Sequence, residues 1–219
     1  KERGVDIATL RADSDPVWPV RKALPANKTQ HKPALTPEQI GKLLSSFDNT
    51  RCTYQVNYCM WLMWWTLTRP AEVAEAEWVE FDLEKALWII PAKRMKARRD
   101  HTIPLPRQAV EMLTGLKGIT GNRKHLFPGR DNRHGPMTTH SLRQALKTLG
   151  WSGTYSPHAT RTTGSTRLNE MGYRADAIEA QLAHADKNNV RRTYNHATYL
   201  DERRVMMQDW ADKLDGWVR

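Results

Sequence analysis

The spacing of apolar residues changes repeatedly along this chain, and each change marks an element. Ile40, Leu43, Leu44 and Phe47 recur at helical intervals. Just before them, Thr36 fits an N-cap, Pro37 a first helical position and Gln39 the closing residue of a capping box. Gln55 to Leu67 is apolar almost all round, which predicts a buried helix whose Trp and Met residues are core. Pro70 opens another short helix directly after Arg69. The pattern then turns strand-like: Ala86 to Pro91 reads as one strand and His101 to Leu105 as its partner. Pro106 to Lys117 carries Val110, Leu113 and Leu116 on one helical face, weakened by Gly115 and ended by Gly118. A Gly-, Asn- and Arg-rich connector fills 118–137, and helices are expected over 139–149, from Pro157, and over 176–184. Leu200, Val205, Met206, Trp210, Leu214 and Trp217 predict a terminal amphipathic helix. The fold class is mostly α with a small antiparallel β-sheet.

Residues 1–33 differ from everything after them. They are basic, weakly apolar and punctuated by Pro16, Pro19, Pro25 and Pro33, which forbids a long helix. They read as a linker or the remnant of an upstream domain, with one folded domain over 34–219. No internal repeat or low-complexity segment interrupts that domain.

Composition narrows the partner. The chain has 219 residues, with 34 Lys and Arg against 24 Asp and Glu, a net charge of +10 and a pI near 9.8. Such an excess favours a polyanion, and nucleic acid is the usual one. Cys52 and Cys59 are the only cysteines. Seven apart on one helix they would sit about 10 Å from each other, beyond disulfide reach, so both read as small core residues of a reducing compartment. The apolar run from Cys59 to Trp65 is too short to span a membrane, and no signal peptide is evident. A cytoplasmic protein is expected.

Candidate chemistry concentrates in 157–199. His158 and Arg161 lie three apart and share a helical face. His184 follows, and Tyr194 comes ten residues later behind Arg191 and Arg192. Arg presents a planar fork to two phosphate oxygens. His exchanges a proton near neutral pH, and Tyr can form a covalent ester with phosphorus. Upstream, five of the seven residues from Lys93 to Arg99 are basic. That run is either a solvated hairpin tip or a nucleic-acid contact. Singly, each residue also has an ordinary role: Arg69 can cap the preceding helix, and His184 can cap its own.

Taken in order, the stretches Thr66-Leu67-Thr68-Arg69-Pro70-Ala71-Glu72, Arg94-Met95-Lys96, His158-Ala159-Thr160-Arg161, Leu182-Ala183-His184-Ala185 and Arg191-Arg192-Thr193-Tyr194 resemble the tyrosine recombinases, in particular phage- and island-borne integrases. The resemblance covers roughly 34–217 and implies that family's catalytic-domain fold. It implies metal-free strand transfer through a 3′-phosphotyrosyl link, with no cofactor. Tyr194 would be the nucleophile, Arg69 and Arg161 the phosphate clamps, and Lys96 the acid for the leaving 5′ oxygen. His158 would take the tyrosine proton, His184 would hydrogen-bond the phosphate, and Glu72 would orient the site. Lys93, Arg94, Arg98, Arg99, Arg191 and Arg192 would contact DNA.

The resemblance further implies double-stranded attachment-site DNA as partner, a tetramer on DNA, a C-terminal helix exchanged between neighbours, and a bacterial location on the nucleoid. Three positions depart from the family pattern: Leu67 and Ala183 stand where Gly is frequent, and Thr160 where an apolar residue is usual. The rival readings are a type IB topoisomerase, a non-catalytic DNA-binding protein of the same fold, and a metal-dependent nuclease or transposase.

Overall fold

A computed structural model describes residues 33–48, 52–130, 135–184 and 198–218. The proline-punctuated stretch read as a linker lies, up to residue 32, outside the described residues. The first helix, α1 (Pro37–Asp48), starts at the capping box. The Gln39 amide donates to Thr36 Oγ1 at 3.2 Å, and the Thr36 amide donates to Gln39 Oε1 at 2.9 Å. Ile40, Leu43, Leu44 and Phe47 are all fully buried.

The all-apolar stretch is α2 (Tyr54–Thr66), and its surroundings explain its composition. It is packed by α1, by α3 (Pro70–Ala74), by α4 (Arg107–Thr120), by α5 (Thr139–Thr148), by α6 (Ala159–Glu170) and by the terminal helix α8 (Leu200–Val218). A helix enclosed on every side has no face to give to water. Cys52 precedes α2 rather than lying on it, so the expected one-helix separation of the two cysteines does not apply; neither forms a disulfide. Burial pushes the Cys59 thiol up.

The sheet has three antiparallel strands in the order β1 (Phe81–Asp82), β2 (Leu87–Ile90), β3 (His101–Pro104). Trp88 faces Ile103 and Ile90 faces His101, while Phe81 faces Trp88 from the other side. Two residues are too few for alternation to show, so β1 leaves no mark in the apolar pattern. Helix α4 runs past Gly118 to Thr120, where the pattern had ended it. Its last turn is held from outside: the Trp78 indole donates to the Thr120 carbonyl at 2.9 Å, and Thr120 Oγ1 donates to the Leu126 carbonyl.

Helix α6 starts at Ala159, two residues later than expected, with Pro157 and His158 in the turn ahead of it. Helix α7 (Ala175–Gln181) stops before His184 because Ala183 turns left-handed. On α8 the buried stripe is Arg203, Met206, Met207, Trp210, Ala211 and Leu214; Val205 falls off it and is 60% exposed. This helix is docked on its own chain, against α1, α2, α7 and β3. The Trp210 indole donates to the Trp64 carbonyl at 2.7 Å. A Cβ on Gly41 would fall 2.0 Å from the Trp217 carbonyl oxygen, so only glycine permits that approach. No described helix is long and apolar enough to cross a membrane.

Candidate active site

Two short strips of backbone build the site. The first follows α2. Leu67 closes that helix in the left-handed region (φ 53°), its amide donating to the Met63 carbonyl at 2.9 Å. Glycine is usual in such a C-terminal turn, and a leucine there costs roughly 1–2 kcal/mol. Complete burial of its side chain offsets this by about 1.5–3 kcal/mol. Gly164 makes the space: a Cβ there would lie 2.4 Å from Leu67 Cδ2. The second strip follows α7, where Ala183 is also left-handed (φ 48°). Both positions at which glycine was expected thus keep the glycine-like backbone without the glycine.

The strips hold the two arginines by their carbonyls. Arg161, on the first turn of α6 and buried, sends Nη1 to the Leu67 carbonyl at 2.7 Å and Nη2 to the Leu182 carbonyl. Its planar fork therefore bridges one strip to the other. Arg69 leads into α3. Its backbone amide and its Nη1 donate to the two oxygens of Glu72 at 2.7 and 2.6 Å, and Nη2 reaches the Ala183 carbonyl at 3.5 Å. The Arg69 side chain stays 27% exposed while Glu72 is 6% exposed, so the buried acid aims a cation that solvent or a ligand can reach.

Charge tunes the neighbours. Burial, and next the charge of Arg69, bring Arg161 down to about 10, which leaves it cationic at neutral pH. His158 is held below its ordinary value, first by burial and then by Arg161, Arg143 and Arg69, against Glu72. Its imidazole is therefore neutral at neutral pH and can accept a proton. His184 places Nδ1 2.7 Å from Glu179 Oε2, which orients the ring.

The basic hairpin loop divides. The sequence grouped Arg94 with the DNA-contacting residues; the structure turns it inward instead. Its Nη1 lies 2.6 Å from Glu80 Oε1, and Nη2 donates to the Glu72 carbonyl at 2.7 Å. Trp88 donates to the same carboxylate at 3.0 Å. Glu80 is 3% exposed, and a buried carboxylate needs such a partner. Lys93, Lys96, Arg98 and Arg99 remain exposed, and among the described residues Lys96 has no hydrogen-bond or ion-pair partner.

Tyr194, Arg191 and Arg192 lie outside the described residues. The other tyrosines are engaged elsewhere. Tyr155 is buried against Thr160 Oγ1, and burial pushes its phenol up. That bond also explains the polar residue inside His-x-x-Arg: Thr160 is the fully buried partner of a buried phenol. Burial and the hydrogen-bonded carboxylate of Asp209 push Tyr173 up to about 12. Tyr54 and Tyr58 meet edge to face, and Tyr199 stacks under Arg174 at 5.3 Å. Two residues that hold the strips, Gln181 and Arg203, carry no motif and were passed over in the sequence; only long-range contacts reveal them.

This architecture has solved counterparts. The Tn1549 transposon integrase in complex with circular intermediate DNA superposes with a TM-score of 0.59 at 21% identity, over 85% of this chain and 68% of that one. The integrase from mycobacterium phage Brujita gives 0.60 at 18% identity, over 87% and 66%. The fold is that of a tyrosine recombinase catalytic domain. In sequence, the chain belongs to the phage integrase family, whose model matches residues 33–200. It is 42% identical over 206 residues to the prophage integrase IntA of Escherichia coli K12, covering 91% of this chain and 48% of that protein. It is 37% identical over 219 residues to the integrase of Enterobacteria phage P4, covering 93% and 50%. The chain spans about half the length of these curated relatives.

Proposed function

We propose that this chain is the strand-transferring part of a site-specific DNA recombinase. The observation that carries the reading is the arginine pair. Arg69 and Arg161 are fixed by Glu72 and by the carbonyls of Leu67, Leu182 and Ala183, beside a neutral His158. Two preorganised cations suit the extra charge that a phosphodiester carries on its non-bridging oxygens in the transition state.

In the first step the Tyr194 oxygen attacks phosphorus, the bond to the 5′ oxygen breaks, and a 3′-phosphotyrosyl ester forms. The tyrosine proton passes to His158, and Lys96 gives a proton to the leaving 5′ oxygen. In the second step a 5′-hydroxyl of a partner strand gives its proton to Lys96 and attacks the ester, and the expelled phenolate takes its proton back from His158. One phosphoester bond replaces another each time, so no external energy source is consumed. His184, oriented by Glu179, donates to the phosphate. Double-stranded attachment-site DNA is the substrate, and exchange between two sites calls for four copies assembled on DNA.

Incubation of the chain with a nicked attachment-site duplex, run on a denaturing gel, tests this. The expected result is a covalent adduct that persists in EDTA and disappears in Tyr194→Phe, with DNA binding retained. An adduct that survives Tyr194→Phe and is lost in Tyr199→Phe moves the nucleophile. No adduct from the unaltered chain overturns the reading.

A further inference from the structure

We propose that Gln181 and Arg203 are positioning residues for the phosphate clamp, setting the distance between the two strips that hold Arg69 and Arg161; this rests on the recombinase reading above. Gln181 is fully buried at the end of α7. Its side-chain amide donates to the Thr66 carbonyl at 2.7 Å. Its side-chain oxygen accepts from Arg203 Nε at 3.0 Å and Nη2 at 2.8 Å. Its backbone carbonyl accepts from His101 Nε2 at 3.1 Å.

These partners admit one orientation of the amide. Arg203 offers only donors, so the amide oxygen must face it; the Thr66 carbonyl only accepts, so the amide nitrogen must face that. A flipped amide would be wrong at both ends. Thr66 immediately precedes Leu67, whose carbonyl holds Arg161. Gln181 immediately precedes Leu182 and Ala183, whose carbonyls hold Arg161 and Arg69. The Gln181–Thr66 bond therefore ties the two strips together at their roots.

Arg203 makes this an expensive tie. It is 2% exposed, and burial brings it down to about 10, so it is still charged. Nη2 also donates to the carbonyl of Thr102 at 2.8 Å, and Nη1 donates to that of Thr198 at 3.2 Å. Among the described residues no carboxylate lies within ion-pair distance of it. A buried cation held only by neutral oxygens is a poor stabiliser, and apolar residues of similar volume often do as well or better. What the arrangement supplies instead is geometry. Arg203 sits in the first turn of α8, which starts six residues after Tyr194, so the seating of the helix behind the nucleophile is carried through Gln181 to both arginines.

The test compares the full chain with Gln181→Glu on nicked duplexes carrying either a phosphate or a neutral methylphosphonate at the cleavage position. Glutamate keeps the acceptor for Arg203 and loses the donor to Thr66. Because a misplacement near 1 Å can cost about a hundredfold, cleavage of the phosphate should fall roughly 10- to 100-fold, with DNA affinity within about threefold. On the methylphosphonate the clamp has less charge to stabilise, so the gap should shrink to within about threefold. A defect of equal size on both substrates, or none on either, overturns the proposal. If Gln181→Glu melts below the assay temperature, Gln181→Met/Arg203→Met removes tie and charge together and must show the same substrate-dependent gap. Failure of the unaltered chain to form an adduct would count against the recombinase reading and would be seen separately.

Discussion

Two basic regions among the described residues are built on opposite terms. In the arginine cluster each guanidinium is bound by fixed oxygens: Arg161 by the carbonyls of Leu67 and Leu182, Arg69 by Glu72 and the carbonyl of Ala183. In the loop between β2 and β3, Lys93, Lys96, Arg98 and Arg99 are exposed, while Arg94 alone is bound inside. The loop is denser in charge along the sequence, yet the sparse pair is the ordered one. A cation's role is decided by the acceptors the fold brings to it, not by its neighbours in sequence. Preorganised cations stabilise a developing charge without reorganisation at the moment of reaction. Free cations must lose side-chain entropy when they bind.

The sharpest way to break the comparison is at Arg94, the one loop residue that behaves like the cluster. Removing one partner of a buried ion pair costs roughly 3–5 kcal/mol. Arg94→Met should therefore lower the unfolding free energy by about that much, and Glu80→Gln added to it should recover most of the loss. Chemical denaturation of the three variants measures this. If Arg94→Met unfolds like the unaltered chain, Arg94 is a loop cation after all.

Within the cluster, Arg161→Lys removes the planar fork that bridges the strips while keeping the charge. A lysine cannot reach both the Leu67 and Leu182 carbonyls in one geometry. Losing one preorganised donor typically costs about 10²–10³ in rate, so single-turnover cleavage should drop by that factor. A loss under about threefold would mean that charge alone, as in the loop, is sufficient there.

His101 links the two regions, lying on β3 at the end of the loop and donating to Gln181 of the cluster. Burial first, then the charge of Arg203 and after it Arg161 and Arg69, pull it from 6.5 down to about 3. The unfolded chain therefore binds a proton that the folded chain refuses between those values. Stability is at its full value above about pH 6.5 and is lost as pH falls toward 3, by up to about 1.4 kcal/mol per unit. At pH 4.5 the loss from this residue is about 2–3 kcal/mol. Other groups titrate in the same window, so the measure is a difference: His101→Gln keeps a donor and should flatten the acid slope by that amount. An unchanged slope would place the His101 proton elsewhere.

Much of this was legible in the chain. The capping box at Thr36 and Gln39, the enclosed helix α2 and the two longer strands were written in local periodicity, which sequence carries directly. The three-residue interval between His158 and Arg161 could be read the same way, whereas Arg69 and His184 were picked out only by the ordered family resemblance. What was not legible depends on partners far along the chain. Arg94 looks like its basic neighbours until Glu80 is placed beside it. Leu67 looks like a misfit until Gly164 makes room for it. Arg203 breaks the apolar stripe of α8, and the residue that accounts for it, Gln181, lies on another helix. Val205 was assigned to that stripe by its hydropathy, whereas helical geometry gives the position to Arg203.

The smallest expected effect on the fold is at the loop's free cations, and it sharpens the comparison from the other side. Lys93, Arg98 and Arg99 can be changed together to Gln, leaving Lys96 in place. All are exposed, and none of the three side chains has a hydrogen-bond or ion-pair partner among the described residues. Arg98 holds a left-handed backbone (φ 50°), a strain that Gln bears equally, so it cancels. Surface changes of this kind usually move stability by less than about 0.5 kcal/mol, and the melting curve should barely shift. Binding should respond instead. Each phosphate that loses its cation removes about 0.9 from the slope of log affinity against log salt, so three lost contacts would flatten that slope by up to about 2.7. A titration of duplex DNA at several salt concentrations reads this directly. A marked loss of stability would mean that these side chains have structural partners like Arg94. An unchanged salt slope would mean that the loop is a solvated face, and that the +10 charge of the chain meets DNA elsewhere.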